Sequence, residues 1–221
     1  MTISLVNESS RPMSTLDLNT FAKLLDGFGQ QVAKEWGISS YSVVPATKRD
    51  SAGWNVVIVD KFPNPAMQNV ALGYHEVVNG LPIAYIKASA YGATRSIFGT
   101  YSPALVLKKI TIHGERFTPG LLSVAAHELA EMLIDPNITK LSPPDINNHQ
   151  WIMEVCDHTV GYWRLTANNV NGVLPDFTKP SFYDLKGLKP YSYLNAPQAP
   201  LKLMSGAYGY WKDSMGQIHK L

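Results

Sequence analysis

The chain has one cysteine, Cys156, in 221 residues. A single thiol excludes an intrachain disulfide framework, so any staple beyond the core would have to be a bound ion. Charge is also sparse: 16% of residues are Asp, Glu, Lys or Arg, with a net charge of +2. No basic run stands out, which argues against a general nucleic-acid binder with its concentrated patch of cations. No stretch approaches the roughly 18 uninterrupted apolar residues of a membrane span. Met1 to Arg11 lacks the apolar region of a secretory signal. The expectation is therefore a chain made in a cytoplasm, with no membrane span and no nucleic-acid partner. No internal repeat is visible.

Apolar residues, in contrast, make up 45% of the chain, enough for a sizeable core without staples. Leu18, Phe21, Leu25, Phe28, Val32 and Trp36 recur every three or four residues and predict a helix over 14–36. Ser14 and Asp17 match a capping box, and Gly37 sits where a C-terminal cap belongs. Gly27 and Gly29 each weaken the middle of that helix by roughly 1 kcal/mol against alanine, so packing must hold it. Trp54 to Asp60 reads as a strand buried on both faces. Leu72 to Val78 and Leu81 to Ser89 flank Asn79-Gly80, a strong hairpin signal. Leu105 to Ile112 suggests another strand. A second helix is expected from Pro119 to Asp135, with Thr118 as N-cap and Pro136 as its stop. A proline-rich loop follows, and Trp151 to Cys156 reads as extended. From about Asn168 the pattern turns irregular, with short strands and tyrosines whose expected role is packing. This divides the chain into a main unit, 1–167, and an aromatic-rich region, 168–221, packed on it.

The chemistry concentrates on the second helix. At about 100° per residue, Glu131 lies about 40° and Glu128 about 100° from His127. Leu122, Ala125, Leu129 and Met132 fall on the opposite arc. Two ligands one helical turn apart can grip one ion, and the residue after the first can reach a metal-activated water without binding the metal. His127 and Glu131 are thus candidate metal ligands and Glu128 the candidate general base. A catalytic zinc takes a third protein ligand and keeps one position open. That ligand is sought in Glu154-Val155-Cys156-Asp157-His158. Glu154 is favoured; Asp157 is a replacement ligand or the acceptor that orients His127. Both can reach one ion only if the chain turns there. Cys156 and His158 are weaker candidates. A cofactor of one divalent metal follows. Zinc comes first, and the carboxylate-rich donor set widens the choice toward calcium or manganese. His75-Glu76 is a second polar pair, and one of the two could face a cleft. Tyr162 could stabilise an oxyanion.

His127-Glu128-Leu129-Ala130-Glu131 through Asp135-Pro136, followed by Glu154-Val155-Cys156-Asp157, resembles a group of zincin-like proteins. They carry a HELAE…DP…E-x-x-D motif and include phage and prophage proteins; plant exordium-type proteins are distantly similar. Gly73-Tyr74-His75-Glu76, Asp176-Phe177 with Pro180, and Gly206-Ala207-Tyr208 also resemble the phage group. The resemblance implies an α+β, zincin-like metallopeptidase fold: a twisted mixed sheet, a backing helix at 14–36 and the active-site helix beneath the sheet. The strand at 81–89 would be its antiparallel edge, holding an extended peptide. The implied function is a phage-type metal-dependent hydrolase of peptide or protein substrates. The alternative is a non-catalytic structural or adaptor protein of the virion, with other virion proteins as partners.

Overall fold

The computed structural model describes residues 1–39, 41–90, 97–103 and 115–221. The strand expected at 105–112 lies outside them. The chain is a mixed α+β structure around a five-stranded sheet. In chain order come β1 (Thr2–Asn7), α1 (Thr15–Trp36), β2 (Ser42–Ala46), β3 (Trp54–Val59), β4 (Gly73–Val78) and β5 (Leu81–Lys87). They are followed by β6 (Thr100–Pro103), β7 (Glu115–Thr118), α2 (Leu121–Ile134), β8 (Gln150–Trp151), β9 (Tyr162–Ala167), β10 (Val170–Pro175), β11 (Tyr210–Lys212) and β12 (Ile218–Lys220).

The sheet order is β2-β1-β3-β5-β4. The first four strands run parallel and β4 returns antiparallel along β5. The sheet edges are therefore β2 and β4, and the antiparallel edge is β4. The expectation that 81–89 forms the edge is corrected: β5 is internal, paired with β3 on one side and β4 on the other. Asn79 and Gly80, at φ 53° and 80°, make the tight turn between them, as a two-residue hairpin with a left-handed turn demands.

Side chains alternate across the strands. Ile3, Leu5, Val56, Ile58, Ala84 and Ile86 meet the helices on one face. Val6, Val57, Val59, Ile83 and Tyr85 join Phe62 and Tyr74 on the other. The strand at 54–59 is thus buried on both faces, as its unbroken apolar run implies. β1 carries no distinctive signal in a polar N-terminus, yet it is central, because four consecutive buried residues (Ile3 to Val6) suffice for a short inner strand.

α1 begins as expected: the Ser14 hydroxyl accepts the Asp17 amide at 3.0 Å, while the Asp17 carboxylate accepts the Ser14 amide at 3.3 Å. It ends at Gly37 in the left-handed conformation. A Cβ on Gly29 would collide with the Tyr41 ring, so this glycine lets β2 approach the helix. α2 starts two residues later than expected, with Gly120 rather than Thr118 as its cap. There the Ser123 hydroxyl accepts the Gly120 amide and donates to the Val173 carbonyl. Every α2 residue except His127 is buried. The helix therefore has no solvated front; its polar arc is covered, and a helix buried all round belongs in the interior.

Past α2, the extended reading of 151–156 holds for Trp151 and for Ile152, which bridges antiparallel to Leu141. β8 ends at Trp151 and the chain turns over 155–158. β9 and β10 form a hairpin whose turn residues, Asn168 and Asn169, both have positive φ. The division at 167/168 falls inside that turn. The C-terminal aromatics share the main core with the sheet: Phe28 meets Phe177 edge-on at 5.7 Å and Trp163 at 6.1 Å. Among the described residues no helix is long and apolar enough to cross a membrane.

Candidate metal centre and cleft

α2 delivers His127 and Glu131 one turn apart into a cleft of about 830 Å³. His127 Nε2 lies 3.1 Å from Glu131 Oε1. The turn after β8 brings Asp157 Oδ1 to 3.0 Å from the same nitrogen. That placement bears on the two roles considered for Asp157. A group that only orients the ring would bond its other nitrogen; Asp157 stands on the side of Glu131.

The turn is fixed from several directions. Thr178 donates its amide and hydroxyl to the Val155 carbonyl at 2.8 and 3.1 Å. The Thr159 hydroxyl is held by the Cys156 and Asp176 carbonyls. The Tyr208 amide donates to the Asp157 carbonyl at 3.1 Å. Burial, followed by the neighbouring Asp157 carboxylate, raises the pKa of the Tyr208 hydroxyl.

The electrostatics are those of a cation site. Glu128, Glu131, Glu154 and Asp157 line one cleft and are largely buried. Burial, then the charges of Glu131 and Asp157, push the Glu154 carboxyl up to about 10. Burial raises Glu131 too, against the pull of His127. Burial opposes a charged His127, yet Glu131 and the contact with Asp157 hold its pKa well above the usual value. Two buried acceptors, Glu154 Oε2 and Asp157 Oδ1, have no hydrogen-bond partner among the described residues. An imidazole nitrogen carries at most one hydrogen, so His127 Nε2 cannot donate to both carboxylates. An ion among these oxygens would serve all of them, and the donors present fit a divalent cation.

The wider set sorts as follows. Cys156 is buried, and its thiol has metal-compatible spacing with His127 and Glu131, the donor atoms lying within 4.8 Å of one another. Burial raises that thiol well above its usual pKa. The Cys156 amide donates to Glu131 Oε1 at 3.3 Å. His158 turns away into aromatic side chains: its Nδ1 meets the Tyr183 hydroxyl at 2.7 Å and its ring stacks on Phe182. Burial lowers its pKa to about 4. His149 stacks on Trp211 and pairs with Asp145, and it does not line the cleft. Tyr162 lines the cleft.

Sequence reasoning named two further contributors without assigning them a role. Tyr208 sits in a segment without periodicity, and nothing local announces its contact with Asp157. His75 could have been found by parity: it pairs with Ala84, which faces the helices, so His75 faces them too. Its Nδ1 is 3.7 Å from Glu128 Oε2. Burial lowers the His75 pKa, but the Glu128 contact outweighs it and the net shift is upward. Asp135 explains the Asp-Pro that ends the helix: its carboxylate accepts the Thr139 and Lys140 amides at 2.9 and 2.7 Å. No protein-family model, curated protein or solved structure matches the chain.

Proposed function

We propose that the chain is a zincin-like, zinc-dependent hydrolase that acts on peptide or protein substrates. The observation that carries the reading is the convergence of Glu131 and Asp157 on one nitrogen of His127. Glu128, the residue next to that ligand, lines the same cleft. His127, Glu131, Asp157 and Glu154 would hold the ion. When bound, zinc would supply Lewis acidity and lower the pKa of water in the cleft.

The chain's own residues would do the rest. Glu128 accepts the proton from the attacking water and passes it to the leaving amine. The antiparallel edge β4 borders the cleft and leaves one row of backbone groups unpaired by the sheet, where an extended peptide can add as a strand. The parallel sheet with one antiparallel edge, with α1 and α2 packed together on one of its faces, supports the zincin reading.

The test is direct. Purified protein should carry about one zinc per chain on elemental analysis. Glu128→Gln should keep that zinc and lower hydrolysis of a quenched-fluorescent peptide library roughly 10²- to 10⁴-fold, the usual size of a general-base contribution. Zinc uptake with no hydrolysis by the wild type would favour the structural or adaptor role in a virion. No uptake would end the hydrolase reading and any structural reading that includes the ion.

A further inference from the structure

Glu128 lies under the edge strand, and two residues of that strand fix it. A Cβ on Gly73 would come within 2.8 Å of Glu128 Cγ and 2.9 Å of its Oε1. Only a glycine lets the backbone of β4 close so tightly on this side chain. Two residues on, and so on the same face of the strand, His75 presents Nδ1 to Glu128 Oε2 at 3.7 Å. The opposite ring nitrogen, Nε2, is 3.3 Å from the Asp135 carbonyl oxygen. A carbonyl only accepts, so Nε2 carries a hydrogen, and the ring attracts the carboxylate as an imidazolium, whose second N–H, on Nδ1, is turned toward it. His75 is 6% exposed, and so is Glu128. The ring therefore links three things: the edge strand, the C-terminal end of α2 and the carboxylate of Glu128.

We propose that His75 is a positioning residue for Glu128, holding its carboxylate against the wall made by Gly73 so that edge strand and base keep one spacing. The inference rests on the reading of Glu128 as the general base. It assigns His75 no bond to the ion, although the donor atoms of His75, Glu128 and Glu131 lie within 4.8 Å of one another and could form a metal cluster of their own. In this assignment the helix supplies the base and the strand supplies its aim. A carboxylate free to rotate would lose the orientation on which proton transfer depends.

The two roles separate in a measurement that needs no substrate. Protein labelled with ¹⁵N-histidine and loaded with ¹¹³Cd should show cadmium–nitrogen coupling at His127 and none at His75. The His75 Nδ1 resonance should move in Glu128→Gln. Coupling at His75 would make it a ligand and overturn the proposal, as would a His75 resonance indifferent to Glu128→Gln. In turnover, His75→Leu should lower kcat roughly 10- to 100-fold, with KM and zinc content unchanged. His75→Gln, whose amide can still donate, should recover most of that loss. Equal losses in the two variants would also overturn it. A wild type that cleaves no peptide removes the peptidase reading alone, and the resonances then decide whether His75 holds Glu128.

Discussion

The two sides of the cleft are built by different means. The N-terminal side is regular: parallel strands satisfy one another's backbone groups, and α1 seals one face with Phe21, Leu25, Phe28 and Val32, all fully buried. Each such side chain contributes about 1.5–3 kcal/mol by leaving water. The C-terminal side, from Thr139 onward, has short pairings and long loops. It is held by carboxylates and hydroxyls that accept backbone amides: Asp135 for Thr139 and Lys140, Asp176 for Phe177 and Leu194. The buried carboxylate oxygens without a hydrogen-bond partner, on Glu154, Asp157 and Asp176, all belong to this side. Both sides share the apolar core, but the second also depends on polar groups that must be satisfied, and what remains there is an uncompensated negative charge around His127. A divalent ion would correct that imbalance, so the proposed metal dependence falls on the second side.

The largest expected effect would show whether the two sides share one fate. Phe28 belongs to α1 but packs on Phe177 and Trp163 of the C-terminal side. Phe28→Ala should cost about 3–5 kcal/mol, in the range for a deleted core ring, and calorimetry should show one transition moved down intact. Two separated transitions would mean that the sides unfold independently.

Metal removal should discriminate between them. At a free metal concentration 100-fold above Kd, the ion contributes about 2.7 kcal/mol. Chelation should remove that contribution and raise hydrogen exchange in 150–160 and 206–212, leaving β1, β3 and β5 protected. Asp157→Asn should reproduce the pattern without a chelator. Uniform loss of protection would break the distinction.

The same asymmetry explains what could be read from sequence. Periodicity reports regular burial, so α1, β3 and the β4–β5 hairpin were legible, down to the Ser14 cap. The helix motif was legible because His127 and Glu131 are four residues apart, a spacing that fixes their proximity. Asp157 was placed only conditionally, since its arrival depends on a turn held by Thr178, Thr159 and Tyr208 from later in the chain. β1 was missed because so short an inner strand carries little pattern, and β2 because an edge strand with one buried residue carries less. The burial of the polar arc of α2 was not legible, because a helical wheel contains no information about what packs against it. The edge strand was misassigned for a related reason: a hairpin signal gives two strands but not which one continues into the sheet.

A pH series tests the charge imbalance itself. The Glu154 carboxyl is pushed up to about 10 from 4.5, and Glu131 and His127 are also raised. Groups with raised folded-state pKa values stabilise the fold fully below their unfolded values, and that contribution fades as pH rises toward the folded ones. The metal-free protein should therefore melt lower as the buffer moves from mildly acid to mildly alkaline. Metal binding needs the deprotonated ligands and so strengthens over the same range. The gap in Tm between zinc-loaded and metal-free protein should widen with pH; a constant or narrowing gap would place the ion away from these carboxylates.

The smallest effect belongs to the regular side and serves as its control. Ser14 caps α1 through the reciprocal bonds with Asp17, and this pair is exposed to solvent. Ser14→Ala should cost about 1 kcal/mol, the usual loss for an N-cap. Neither residue contributes to the cleft, and distant sites add independently. The zinc-loaded and metal-free forms should then lose the same stability, and the gap between them should stay as it was in the wild type. A change in that gap would show that strain at the start of α1 reaches the ion, through the Trp36 indole that donates to Thr178 at 2.9 Å and the Thr178 bonds that fix the turn before Asp157. The metal-dependent side would in that case extend into the first helix, and the division between burial and charge would lie along side chains rather than between segments of the chain.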